Sequence, residues 1–436
     1  MKKLVIPYVP HLVHIETTYA CNQECLFCYN PSRSMKIDLG LIDKIVQKVY
    51  ESWIPHVYLI GGEPSLIGVD KLNEYIELLS PRSSVTIVTN GQIYLENLST
   101  KLACIGVPIH GIGDLHDVHA HKKGSFEAAK RSIAKYVERG FDVRCIPVLT
   151  KLNYDKISEI IAFAKEMGME SVFVDRYEDG GVGSAMSEKL KPSLAQFDEA
   201  LDQMIESRDK YNIPVGWGTA VPFCLNEKMI ANNMTADCGA GVTFAAVDPL
   251  GSVRICNQSQ QVYGNVLSDE SFHDIWHKKK IDNFRDMIWS QKLPCNGCGV
   301  ISDCMCGCKV DASVDGEYSI DYSVRQRSDR PEYVNTDNAP KTKQYPVITK
   351  WRNFLVNPYT KIHDQSYEKY LVTRYQTVRL DDDAMFLLGQ ILDDKVGSEE
   401  ELYMNNLGRF SKTEINDFIT DLIYADAIVQ RSDEKC

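Results

Sequence analysis

The placement of cysteine constrains this 436-residue chain more than any other feature. Of 14 cysteines, three fall in Cys21-Asn-Gln-Glu-Cys25-Leu-Phe-Cys28 and seven between 238 and 308. Cys104 and Cys145 sit in apolar runs and read as core thiols, Cys224 follows Pro-Phe, and Cys436 reads as an exposed terminal thiol. In a secreted chain such a number would suggest disulfides. Here Met1-Lys2-Lys3 opens an apolar stretch that Pro7, Pro10, His11 and His14 interrupt, with no small-residue cleavage site after it, so no signal peptide is expected. Metal or redox chemistry in a cytoplasmic protein is the expectation. No apolar run reaches the roughly 20 residues that span a bilayer. A formal net charge of -12 argues against a nucleic-acid partner, which needs a basic face.

From residue 12 to about 185 short β-rich runs alternate with amphipathic helical stretches. Leu12–Thr17, His56–Ile60, Val85–Thr89, Ile105–Ile109, Val143–Leu149 and Ser171–Asp175 read as buried strands. Leu41–Trp53 and Ser125–Arg139 read as helices, the second with Ser125 at its start and Gly140 past its end as caps. Six β/α units in series predict an α/β fold with a parallel sheet, open or partly closed into a barrel. Sites in such folds lie at the carboxyl ends of the strands. The domain expectation is a barrel over 1–185, a helical connection over 186–235, and a cysteine-rich unit over 236–324 in which metal substitutes for a core. A polar, proline-containing linker over 325–349 and a separate unit over 350–436 follow. In that last unit Tyr370–Leu380 reads as a strand and Asp382–Asp393 as a helix. Ser398 with Glu401 and Ser411 with Glu414 read as capping boxes. Ile415, Phe418, Ile419, Leu422 and Ile423 form one apolar helical face.

The first triplet, C-x3-C-x2-C, directly follows the first expected strand. Three thiolates on one loop can hold three irons of a cubane and leave the fourth without a protein ligand, whereas most iron–sulfur proteins use four cysteines per cluster. A zinc loop, or three incidental cysteines, is the alternative, although zinc usually takes four ligands and no fourth is adjacent. With Phe27 before its last cysteine, the triplet resembles that of the radical S-adenosylmethionine (SAM) superfamily. Gly61-Gly62-Glu63-Pro64 after the second strand is similar to that family's GGEP motif, and Thr89-Asn90-Gly91 after the third to its ribose-facing turn. The resemblance spans residues 12–324. It implies a partial (β/α)6 TIM-type barrel in which Cys21, Cys25 and Cys28 hold the catalytic cluster. The open iron would chelate the amino and carboxylate groups of SAM, and the region of Glu63 would receive the ammonium. Electron transfer into the sulfonium then releases a 5′-deoxyadenosyl radical. Where related peptide-modifying enzymes carry Ser-x-Asp-Gly, this chain has Pro108-Ile109-His110-Gly111. His110 either replaces a polar contact to the cosubstrate or is a solvent-facing loop histidine. His116-Asp117 and Gly124-Ser-Phe126 fit the family pattern. Arg144 and Arg176 are candidates for the cosubstrate carboxylate, against a surface or structural role.

Cys238-x12-Gly251-x4-Cys256 followed by Cys295-x2-Cys298-x5-Cys304-x3-Cys308 resembles the SPASM extension of radical enzymes, which binds two auxiliary clusters. Carried over, Cys238, Cys256 and Cys308 serve the first, and Cys295, Cys298 and Cys304 the second. Taken alone, the C-x2-C pair suits zinc equally well. The family's final cysteine is missing from Ser319–Val324. Cys306, where glycine is usual, is the expected substitute on the second cluster, against an oxygen ligand or an open iron. Cys224 is the candidate fourth ligand of the first cluster, against a buried thiol.

A primary carbon radical abstracts hydrogen from unactivated C–H bonds, so water must be excluded and one target bond held close. Auxiliary clusters can accept the electron left after ring closure. The resemblance therefore implies three 4Fe-4S clusters, SAM, a reductant such as flavodoxin or ferredoxin, and a ribosomally made precursor peptide with a leader segment. The expected product is a thioether or carbon–carbon crosslink. The unit at 350–436 resembles the winged-helix recognition element of peptide maturases, which takes a leader as an added strand. A packing or dimerisation domain is the alternative there. For the whole chain the alternatives are a formylglycine-type maturase, a small-molecule radical dehydrogenase, or a non-catalytic Fe–S or zinc protein.

Overall fold

The computed structural model describes residues 4, 6–286, 295, 298–308, 313–314, 317–318, 321, 354–364, 368–393 and 396–430. The linker expected at 325–349 and Cys436 lie outside the described residues. The expected strand–helix series is present as β1 (Leu12–Thr18), α1 (Leu39–Glu51), β2 (His56–Gly61), α2 (Val69–Leu79), β3 (Ser84–Val88), β4 (Cys104–Val107), α3 (Asp114–Ala120), α4 (Ser125–Glu138), β5 (Val143–Cys145), β6 (Val148–Leu149), α5 (Ile157–Glu166) and β7 (Ser171–Arg176). Strands β1, β2, β3, β4, β5 and β7 pair in that order, all parallel, and β6 pairs with β7. The expected run Val143–Leu149 is thus divided between two short strands.

Period-two alternation gives the sheet its two faces. Val13, Ile15, Val57, Leu59, Val85, Ile87, Ile105, Val107, Val172 and Val174 pack with Ile42, Ile45, Val46 and Val49 of α1 in one core. Each such side chain contributes about 1.5–3 kcal/mol when fully buried. The alternate residues meet one another across the concave side. His14 stacks on Tyr58 at 5.0 Å and meets Phe244 edge-on at 4.5 Å. The Arg144 guanidinium lies 4.5 Å over Phe173.

Two segments depart from expectation. The connection at 186–235 has its long helix, Leu194–Tyr211, but also β8 (Val215–Trp217), which extends the sheet beside β7. The cysteine-rich unit also begins inside the sheet. Its β9 (Phe244–Val247) runs parallel to β1, followed by antiparallel β10 (Ser252–Arg254) and β11 (Val262–Asn265). These strands are too short for their periodicity to stand out in sequence.

The carboxy-terminal unit has its own core around Leu371, Leu387, Leu388, Ile391, Leu402, Ile415, Ile419 and Leu422. The run Tyr370–Leu380 is a hairpin rather than one strand. Lys361–Asp364, Lys369–Val372 and Thr377–Arg379 form a three-stranded antiparallel sheet. Helices Asp382–Leu392, Glu399–Asn405 and Lys412–Tyr424 follow, and Ile428–Gln430 pairs back with Phe354–Val356. Ser411 and Glu414 form the reciprocal capping box, while Ser398 accepts from the Glu401 N–H. This unit docks on the amino ends of the barrel strands. Ser84 donates to the Arg374 carbonyl at 2.7 Å, the Tyr8 N–H donates to Glu368 at 3.0 Å, and Tyr359 donates to the Leu102 carbonyl at 3.2 Å. Arg374 pairs with Asp142 in front of β5, and His363 bonds the Arg82 carbonyl in front of β3.

Candidate active site

The cysteine triplet, both glycine motifs and His110 all follow carboxyl ends of parallel strands, at the opposite end of the barrel from the docked unit. Backbone packing explains the glycine pair. The Gly62 N–H donates to Thr18 O at 2.6 Å and the Glu63 N–H to Ala20 O at 2.9 Å. A Cβ on Gly61 would lie 2.3 Å from Thr18 O, and one on Gly62 2.2 Å from Ala20 O. Only glycine lets this turn press against the chain entering Cys21.

Glu63 is buried, and its carboxylate accepts from Ser65 N (2.9 Å), Thr89 Oγ1 (2.6 Å) and Asn90 N (2.7 Å). Burial raises its pKa, and these three donors oppose the shift. The side chain therefore stitches the GGEP turn to the Thr89-Asn90-Gly91 turn, and most of its accepting capacity is already used. Asn90 passes the link on, donating from Nδ2 to Asn22 Oδ1 at 2.7 Å beside Cys21 Sγ at 4.0 Å. Gly91, at φ +69°, lies against α4, where a Cβ would come within 3.1 Å of the Ala129 Cα.

The three thiols sit close enough to influence one another. Burial first, then Cys28 and Cys21, raise the Cys25 thiol, and burial pushes Cys21 up to about 11. The Asn30 N–H points at Cys28 Sγ at 3.4 Å. Mutually repelling thiols with an N–H aimed at sulfur fit an iron cluster, whose positive charge favours the thiolates.

His110 is buried, not solvent-facing. Its Nδ1 accepts from Val148 N at 3.1 Å, which leaves the ring proton on Nε2, and its ring meets Phe27 edge-on at 4.6 Å. Burial, then His116 and His119, hold it neutral. His116 and Ser125 belong to segments that fit the family pattern, but sequence reasoning missed Gln23 and Gln92 beside them. His116 Nε2, Gln23 Nε2 and Gln92 Nε2 converge on Ser125 Oγ at 3.1, 2.6 and 3.1 Å. Lys122 and Arg33 hold the Asn22 and Cys25 carbonyls. Gly181 crosses the backbone of Tyr29 and Gly183 that of Phe27, where a Cβ would lie 1.9 Å from Tyr29 O and 2.7 Å from Phe27 C. The Gly180-Gly-Val-Gly183 run after β7 was the available signal.

Both arginine candidates are engaged elsewhere. Arg144 bonds Tyr58 and Ser171 and stacks near Tyr375 of the docked unit. Arg176 forms a bidentate pair with buried Asp321 at 3.0 and 3.2 Å. Asp321 also accepts from the Cys308 N–H at 2.9 Å, so in the stretch without a final cysteine a carboxylate steadies the Cys308 backbone.

The later cysteines gather beside the sheet. Burial pushes Cys256 up to about 12, with Cys238 and Glu178 adding to it. Arg254 and Asn257, on either side of Cys256, both bond Glu16 of β1. Cys306 shares an apolar cluster with Cys238, Cys295 and Cys298, and so lies with members of both expected sets. Cys304 accepts from the Phe223 N–H at 3.4 Å, while Pro222 packs at Gly307. The segment carrying Cys224 therefore reaches the 304–308 loop.

Residues 15–164 match the radical SAM superfamily, and residues 238–299 match the SPASM iron–sulfur cluster-binding domain. The chain is a radical SAM enzyme with a SPASM domain. The SPASM match includes Cys238, Cys256, Cys295 and Cys298 and ends before Cys304, Cys306 and Cys308. Mycofactocin maturase MftC of Mycolicibacterium smegmatis is 25% identical over 314 residues, 67% of this chain and 76% of the relative. PqqA peptide cyclase of Methylocella silvestris is 25% identical over 305 residues, 65% of this chain and 78% of the relative. Streptococcus suis SuiB bound to S-adenosylmethionine superposes with a TM-score of 0.59 at 18% identity, covering 73% and 78% of the two chains. That likeness concerns the fold. Among the described residues no helix is long and apolar enough to cross a membrane.

Proposed function

We propose that this protein is a peptide maturase that forms a thioether or carbon–carbon crosslink in a ribosomally made precursor. Its radical SAM and SPASM domains, with relatives named as a peptide cyclase and a maturase, support that reading. The observation that carries it is the polar stitch running from Glu63 through Thr89 and Asn90 to Asn22 beside the triplet. It holds three cosubstrate-facing turns in one rigid mouth, as differential binding of a reactive species requires. When bound, the cluster and SAM supply a 5′-deoxyadenosyl radical. Cys21, Cys25 and Cys28 would hold that cluster, with Phe27, Gly61, Gly62, Pro64, Gly91 and the His110 Nε2–H lining the cosubstrate. Two auxiliary clusters, three 4Fe-4S in all, would draw on Cys238, Cys256, Cys295, Cys298, Cys304 and Cys308, with Cys306 and Cys224 completing them.

The carboxy-terminal unit is assigned to the leader peptide. Thr377–Arg379 is an outer strand of its sheet, and added strands are a common mode of peptide capture. A reductant of the flavodoxin or ferredoxin type and a cytoplasmic setting complete the proposal. Anaerobic coexpression with a candidate precursor, a short open reading frame sought next to the gene, tests it by mass spectrometry. A loss of two hydrogens per crosslink is expected, and an unchanged peptide overturns the crosslinking assignment.

A further inference from the structure

Among the described residues, the concave interior of the sheet holds an ionisable side chain, Asp175, that neither the cosubstrate chemistry nor an ion pair gives a task. Asp175 stands one residue before the end of β7, with its N–H on the Pro147 carbonyl at 2.8 Å and Val148 as its neighbour in register. Val172 and Val174 point into the helix-covered core, so Phe173 and Asp175 face the interior. Gly218, just past β8, makes room for the carboxylate, since a Cβ there would lie 2.2 Å from Asp175 Oδ1. Among the described residues no donor or cation meets that carboxylate. Arg176 turns away to Asp321, and Arg144 is held by Tyr58 and Ser171. Burial alone acts on the group and pushes it up to about 7. A carboxyl at the carboxyl end of a barrel strand, with unclaimed lone pairs and a glycine opposite, is placed to serve a guest.

We propose that Asp175 is a catalytic base that takes the proton leaving the peptide as its crosslink forms, an assignment that rests on the maturase reading above. The balance is complete with the groups already named. One peptide C–H and one X–H bond break and C–X forms, where X is sulfur or carbon. One hydrogen atom leaves as 5′-deoxyadenosine. The other leaves as a proton to Asp175 Oδ and an electron to an auxiliary 4Fe-4S cluster, which offsets the electron spent on splitting SAM to methionine.

The test compares cluster-loaded wild type with Asp175→Asn and Asp175→Glu, using as probe a candidate precursor peptide from a short open reading frame sought next to the gene. The expected result for Asp175→Asn is 5′-deoxyadenosine formation within about twofold of wild type while crosslinked peptide falls about 100-fold, the low end of general base catalysis. Asp175→Glu restores part of the product. In difference infrared spectra, adding the peptide to wild type shifts a carboxyl band that Asp175→Asn lacks. Equal crosslinking by Asp175→Asn overturns the proposal and leaves the maturase reading intact. So does a parallel loss of 5′-deoxyadenosine and product, or a carboxyl band that ignores the peptide. Wild type that leaves the peptide unmodified overturns both.

Discussion

Asp117 takes the capping task that the sequence assigns to Ser125. Ser125 has the residue type of an amino-terminal cap, but α4 is capped from α3, with Asp117 accepting from Gly124 N and Phe126 N at 2.5 and 2.8 Å. Ser125 is instead the hub for Gln23, Gln92 and His116. Asp117→Ala is therefore expected to cost about 1 kcal/mol of stability, the usual worth of a cap, in urea unfolding. Ser125→Ala leaves buried Gln23, Gln92 and His116 without their shared partner, so it should cost about 1–3 kcal/mol in the same experiment and also weaken SAM binding in equilibrium dialysis. Asp175 gives the pH dependence. Its value is raised from 3.8 to about 7 by burial, so the folded protein keeps a proton that the unfolded chain has released. Its contribution to stability is full below about 3.8 and is lost as pH rises through about 7. Urea unfolding at pH 5 and pH 8 should show wild type losing stability with rising pH and Asp175→Asn losing less. A residue-level reading of sequence singles out Cys21, Cys25, Cys28 and Glu63 because their spacing is fixed by one loop and one turn. It could not find Gln23 with Ser125, which are 102 positions apart and meet only through the fold.

Among the elements, the hairpin of the carboxy-terminal unit carries the sharpest consequence. Its register pairs Leu371 with Val378 and Tyr370 with Arg379. The Thr373 N–H donates to Gln376 O and the Leu380 N–H to Lys369 O. Antiparallel ladders alternate, so Val378 spends its backbone groups on Leu371, and Thr377 and Arg379 turn theirs to the outer edge. Arg379→Pro removes an outward donor without touching the Leu371 pairing. It is expected to weaken binding of the leader peptide at least about fivefold, roughly one hydrogen bond, in fluorescence anisotropy; unchanged binding would remove this edge from the account. The six barrel strands were legible because alternation and turn signals agree over whole β/α units. The hairpin read as one strand because Thr373-Arg374-Tyr375-Gln376 carries no glycine, proline or asparagine to mark a turn. β8 and β9 were missed because three or four residues show no period of their own.

At the scale of the whole molecule, the docked unit and the cysteine loop occupy opposite ends of the barrel. β1 alone, at seven residues, spans about 23 Å. A peptide anchored on Thr377–Arg379 must therefore cross at least about seven extended residues before its target reaches the mouth. Shortening the precursor below that spacing should abolish modification in mass spectra while anisotropy still reports binding. This arrangement was hidden from sequence, because Arg374 and Asp142, which fix it, belong to different units and meet only on docking. Everything upstream of the peptide depends on one iron in the 21–28 loop being open to SAM. Electron–nuclear double resonance of the reduced, oxygen-protected protein with 15N-labelled SAM addresses that iron directly. The account predicts hyperfine coupling between the cluster and the labelled amino nitrogen, lost in Cys21→Ala. A reduced cluster with no such coupling, or zinc bound at Cys21, Cys25 and Cys28, would contradict it.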